Sequence, residues 1–152
     1  DFDAAATYIY TQDYIFEVQA RLLLASEVHR EARQFCLDRI DNLEALNNKS
    51  FLHQMYLFLG TAHIKLGEYE QSKTALNNAY RIADELQARW RLWQILAAQA
   101  ELAEVQGKGD NGKALKAAAV AQIEAICVEI DQPDLRENFL NRQDVASLLE
   151  GQ

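Results

Sequence analysis

The stretch Phe51-Leu52-His53-Gln54-Met55-Tyr56-Leu57-Phe58-Leu59-Gly60-Thr61-Ala62-His63-Ile64-Lys65-Leu66-Gly67 decides how this chain is read. Phe51, Met55, Phe58, Leu59, Ala62 and Leu66 recur at three- and four-residue spacing, the period of one helical face. Ser50 stands where an N-cap belongs and Gly67 where a helix stops. A second helix is predicted from Tyr69, with Ser72, Leu76, Ala79, Ala83 and Leu86 along one stripe. Gly60 falls inside the first helix, where it costs about 1 kcal/mol relative to alanine. The expected compensation is a neighbouring helix crossing there at close range. Gly60→Leu should overpack that crossing, and Gly60→Ala should be near neutral or slightly stabilising.

This pair of helices recurs on both sides. Ala20, Gly60 and Ala100 are spaced by forty residues, with Phe16, Tyr56 and Leu96 four positions before each. Phe35, Ala75 and Leu115 keep the same register, as do Ile40, Tyr80 and Val120, and then Leu46, Leu86 and Ile126. Self-similarity at a period of a few tens of residues marks stacked repeats, none of which buries its apolar face alone. The units run over about 11–47, 50–88 and 90–130 within a single domain spanning 1–152. In the first, helices are predicted at Thr11–Val28 and Arg30–Leu46, with Asn47, Asn48 and Lys49 as linker. In the third they are predicted at Trp90–Gln106 and Gly112–Ile130. The boundary between Leu86 and Trp90 carries neither Gly nor Pro and is the weakest. Pro133 suits the first turn of a short helix to Leu140, and Asp144–Glu150 forms another. Together, 133–150 would cap the open end of the stack.

Composition bounds the rest. The chain has 152 residues, 49% apolar, with a single proline and six glycines, a profile that favours helices over sheets. A net charge of −8 argues against a nucleic-acid surface, which needs a basic face. Residues 51–100 carry four acids against five bases, and both flanks are strongly acidic, so the middle is where an acidic partner would be tolerated. No apolar run approaches the ~20 residues of a membrane helix, and no signal peptide is visible. Cys36 and Cys127 stand alone and read as buried packing thiols in a reducing, cytoplasmic setting. The chain opens on Asp1, which is read as the start of a fragment of a longer protein.

Tyr56-x2-Leu59-Gly60-x2-His63, Gly67-x-Tyr69, Ser72, Leu76 and Ala79 resemble the tetratricopeptide repeat. His63 stands where an aromatic is usual, Ser72 where alanine is usual and Asp84 where proline often ends the unit. The forty-residue unit is longer than the common one. In that respect the chain resembles the tetratricopeptide-like domains of MalT-type multidomain signalling ATPases and transcriptional regulators. Arg21-Leu22-Leu23-Leu24-Ala25, Trp93-Gln94-Ile95-Leu96-Ala97-Ala98 and Pro133-Asp134-Leu135-Arg136-Glu137-Asn138-Phe139-Leu140 carry that likeness. The resemblance implies an all-α, right-handed α-α superhelix of three helix pairs plus short capping helices. It implies a bacterial regulatory scaffold that binds a protein or peptide segment, or another domain of its parent.

In that family the first helices line a concave groove. Carried over, the groove residues are Tyr14, Glu17, Arg21 and Leu24, then Gln54, Leu57, Thr61 and Lys65, then Gln94, Ala97, Glu101 and Glu104. Rival readings are a small-molecule sensor, with Tyr14, Arg21, Gln54 and Thr61 converging on a pocket, and a self-associating structural module that forms homo-oligomers. Gly107-Lys108-Gly109-Asp110-Asn111-Gly112-Lys113-Ala114 mimics a phosphate loop, but Ala114 replaces the Mg²⁺-binding hydroxyl and a helix leads into it. It reads as a lengthened turn inside the third unit. Trp90 and Trp93 read as cover for the junction of units two and three. His29, His53 and His63 lack metal-ligand spacing, and His63 reads as a core histidine. No catalytic constellation, metal or cofactor is expected.

Overall fold

The computed structural model describes the backbone of residues 2–151 and the side chains of residues 14–151. Eight α-helices account for nearly all of it: α1 (Phe2–Ala25), α2 (His29–Ala45), α3 (Leu52–Leu66), α4 (Tyr69–Glu85), α5 (Arg89–Val105), α6 (Gly109–Glu129), α7 (Pro133–Leu140) and α8 (Gln143–Glu150). No strand occurs among the described residues. The chain divides into two compact units, 1–82 and 83–152, with the boundary in the last turn of α4. Most helices lie within three residues of the sequence expectation. The exception is α1, which starts at Phe2 and not Thr11.

The stops explain the period. Backbone φ is positive at Glu27, Gly67 and Gly107, each just after the first helix of a pair, and at Asn47 and Gln87 after the second. These left-handed residues are themselves forty apart. Across four of them an N–H reaches back five residues to a helical carbonyl. The bonds are Asn48 to Leu43 at 2.9 Å, Glu68 to His63 at 2.9 Å, Ala88 to Ala83 at 2.8 Å and Lys108 to Ala103 at 2.8 Å. That bond satisfies a terminal carbonyl and turns the chain. Ser50 is not the N-cap of α3. The helix begins after Phe51, and the Ser50 N–H donates to Asn48 Oδ1 at 3.1 Å.

In the first unit α2 packs on α3, and α1 packs on both. Cys36, Ile40 and Leu43 from α2 form one apolar cluster with Leu52, Met55, Phe58 and Leu59 from α3 and Ala20 from α1. Tyr56 sits at its edge, its hydroxyl donating to Glu44 of α2 at 2.8 Å. The crossing foreseen at Gly60 is made by α4. A Cβ on Gly60 would stand 2.6 Å from both Cγ and Cδ2 of Leu76, and the Ser72 hydroxyl donates to the Gly60 carbonyl at 2.9 Å. An alanine at 60 therefore forces Leu76, which is fully buried, to shift.

A second small-residue series faces the first. Ala32, Ser72 and Gly112 are forty apart and all buried. In the second unit a Cβ on Gly112 would meet the Ala100 carbonyl at 3.4 Å and Glu104 Cγ at 3.0 Å, so α5 and α6 also cross closely. There, Trp93, Leu96, Ala119, Ile123 and Val145 form the core, closed by Phe139, Leu140, Leu148 and Leu149 of α7 and α8. The two short helices thus cover an apolar face of α5 and α6. Not every repeat position is internal: Leu46, Tyr80 and Leu86 are exposed.

Two outcomes are expected. Gly60→Ala gains about 1 kcal/mol of helix propensity but overpacks Leu76 by about 1–3 kcal/mol, a net loss in denaturant titration. The double-mutant cycle with Leu76→Ala should show strong coupling, and additive effects would mean the two do not touch. At the stops, Glu27→Gly relieves left-handed strain and should stabilise by roughly 0.5–1 kcal/mol. Gly67→Ala meets no atom within 4 Å, so its cost of about 1 kcal/mol should come from backbone conformation alone. A thermal melt in which both changes move in the same direction would refute this.

Candidate interaction face

The twelve carried-over groove residues do not all reach the surface. On α1, Tyr14 is 64% exposed and Arg21 is open to solvent, whereas Glu17 is only 7% exposed. Leu24 is half-buried against the core of the first unit. On α3, Gln54 and Leu57 are buried and Lys65 is exposed. The Thr61 hydroxyl donates to the Leu57 carbonyl at 3.0 Å, a bond within its own helix. On α5, Gln94, Ala97 and Glu101 are half-buried. Glu104 is held by Lys116 of α6 at 2.6 Å.

Arg21 is the side chain this arrangement prepares most fully. Its Nη2 meets Glu17 Oε1 one helical turn earlier at 2.7 Å, and its guanidinium lies 5.9 Å from the centre of the Phe58 ring. A buried carboxylate and an aromatic face therefore hold it in one place. A guanidinium has five N–H donors, more than this contact uses, and can take a planar carboxylate as well. Tyr14, Arg21, Gln54 and Thr61 do not all open on one surface, since Gln54 is 1% exposed.

A polar cluster that the sequence reading missed lies where α2, α3 and the α3–α4 turn meet. Glu68 takes Arg33 Nη1 on one carboxylate oxygen and His63 Nδ1 on the other, each at 2.5 Å. His63 is buried, as foreseen, but its ring is engaged in this ion network. The hydrogen bond from His63, then that from Arg33, hold the Glu68 carboxyl below its usual range. Glu68 follows Gly67 directly, so the helix stop aims its side chain. The available signal was the adjacency of Gly67 and Glu68, with His63 five residues back.

The remaining candidates resolve as follows. Trp93 is buried in the second unit, edge-on to Phe139 at 6.5 Å, while Trp90 is exposed with the Arg91 guanidinium 4.0 Å from its ring. The two therefore do not act together. Burial pushes the Cys36 thiol up to about 12, but Cys127 is only half-buried. The phosphate-loop mimic is not a lengthened turn: Gln106, Gly107 and Lys108 connect α5 to α6, and Gly109–Gly112 is helix. No group of three or more metal-ligating side chains occurs among the described residues. No helix among them is long and apolar enough to cross a membrane. No family model, curated protein or solved structure matches the chain.

The depressed Glu68 carboxyl gives a signed expectation. A lowered folded pKa stabilises the fold fully above the unfolded value and loses that contribution as pH falls through the folded one. Wild-type stability should therefore drop as pH falls below about 4.5, the ordinary glutamate value. Glu68→Gln should lower the melting temperature at pH 7 and flatten this part of the profile. An unchanged acid limb in the variant would show that the network contributes nothing.

Proposed function

We propose that this chain is a helical-repeat binding module of the tetratricopeptide-like kind, without chemistry of its own. It holds an acidic protein segment, from a partner or from another domain of its parent, on the α1–α3 face of residues 1–82. The setting is the bacterial cytoplasm, in a signalling or regulatory protein. The observation that carries this reading is Arg21, exposed yet fixed by Glu17 and lying by the Phe58 ring. A cation held in its bound geometry loses little conformational freedom on capturing a carboxylate. Tyr14 extends the same side of α1, and Lys65 adds a second exposed cation on α3. The forty-residue recurrence of helix stops and small crossing residues supports the repeat architecture behind it.

The test uses peptides selected from a random displayed library on the full chain. Selected sequences should be enriched in Asp and Glu. A charge-assisted contact is worth about 1.5–3 kcal/mol, so Arg21→Ala with Lys65→Ala should weaken binding about ten- to a hundred-fold by calorimetry. Helical circular dichroism should not change, and Arg136→Ala should bind as wild type. Binding that survives the double change, but is lost on substituting Arg30 or Lys73 of the second helices, would place the working surface elsewhere.

A further inference from the structure

Over its described side chains, the face of α1 opposite its core contacts is apolar and uncovered. Ile15, Val18 and Leu22 lie within about 60° of one another at roughly 100° per residue, and they are 53%, 47% and 64% exposed. Phe16, Ala20 and Leu24, which pack inward, lie on the other side of the helix. The repeat register shows what such a face is for. Forty residues on, the same positions are Met55, Phe58 and Ala62, at 1%, 8% and 0% exposure, and forty further they are Ile95, Ala98 and Leu102, also buried. Of the three first helices, α1 alone leaves this face in water.

What covers the α3 face is visible in the first unit. There α2, the second helix of the preceding pair, packs along α3 more extensively than α1 does, and its Cys36, Ile40 and Leu43, with Ala20 of α1, share a cluster with Met55 and Phe58. We infer that the Ile15–Val18–Leu22 face of α1 docks the second helix of another helical pair. That helix would be amphipathic, with small and branched apolar residues spaced as Cys36, Ile40 and Leu43 are. A second copy of this chain is a poor occupant. An independent dimer buries about 800 Å² per partner, far more than three aliphatic side chains on two turns offer. A helix already tethered or held elsewhere needs no such area, because its effective concentration is high. This face borders the Arg21 face along Val18, but its test reads melting and not peptide capture, so either reading can fail without the other.

The repeat supplies its own probe: an extended chain in which residues 12–51 occur twice in tandem places an α2 helix just ahead of the inner α1. This chain should be monomeric by light scattering, and it should melt about 5–10 °C above the native chain because it buries the aliphatic stripe. Val18→Lys with Leu22→Lys in the inner copy should remove most of that gain. In the native chain the same pair of changes should shift the melt by no more than about 2 °C, as expected of exposed positions. An extended chain that melts no higher, or lysines that act equally in both chains, would overturn the inference. So would a native chain that is dimeric and becomes monomeric with the lysines, since the occupant would then be a second copy.

Discussion

The contact on which the first unit depends is the crossing of α3 and α4 at Gly60. Leu76 fills the space that a β-carbon would take, and Ser72 ties its hydroxyl to the same glycine's carbonyl. A mid-helix glycine weakens its helix, yet here it brings two backbones close enough for both contacts. Closeness at this point sets how α4 lies on α3. It also decides that Leu76, with Ala75 and Ala79 beside it, is buried while Tyr80 is not. The second unit reaches a similar approach by other means, with Ala100 on α5 and Gly112 on α6. The glycine has moved to the partner helix, and the close spacing is retained.

Helix ends impose the second constraint. The connections from α1 to α6 each hold one left-handed residue, and at four of the five the next N–H caps the helix just finished. Where that residue is Gly67 or Gly107 the conformation is nearly free of strain. Where it is Glu27 or Gln87 the fold absorbs a local cost, which packing of the flanking helices must offset. Glu68 shows how such a turn can also carry electrostatics. The stop that turns the chain delivers its carboxylate between Arg33 and His63, so one residue joins α2, α3 and the start of α4.

The surface of the first unit then separates into two kinds of face on one helix. Arg21 stands on a buried acid and by an aromatic ring, which favours an oriented, charged ligand. Ile15, Val18 and Leu22 form an aliphatic strip suited to another helix. Both follow from α1 being first in its series. Its inward side is covered by α2 and α3, while its outward side has no earlier pair among the described residues to cover it.

Sequence alone determined the helices and the place of the close crossing at Gly60. Helical periodicity is written in residues three and four apart, and the backbone bonds it implies are local. The small residues at 20, 60 and 100 could be read for the same reason, since a crossing demands little of its neighbours except size. The stops at Glu27 and Gln87 could not be read, because neither glycine nor asparagine announces a left-handed residue there. Nor could the burial of Glu17 and Gln54, the ion network at Glu68, or the contact of Leu76 with Gly60. Each depends on which distant side chain arrives at a given place. Leu76 is sixteen residues from Gly60, Glu68 lies thirty-five from Arg33, and Phe58 thirty-seven from Arg21. Such meetings are decided by packing between helices, and a one-dimensional pattern records only that a face is apolar, not what rests on it.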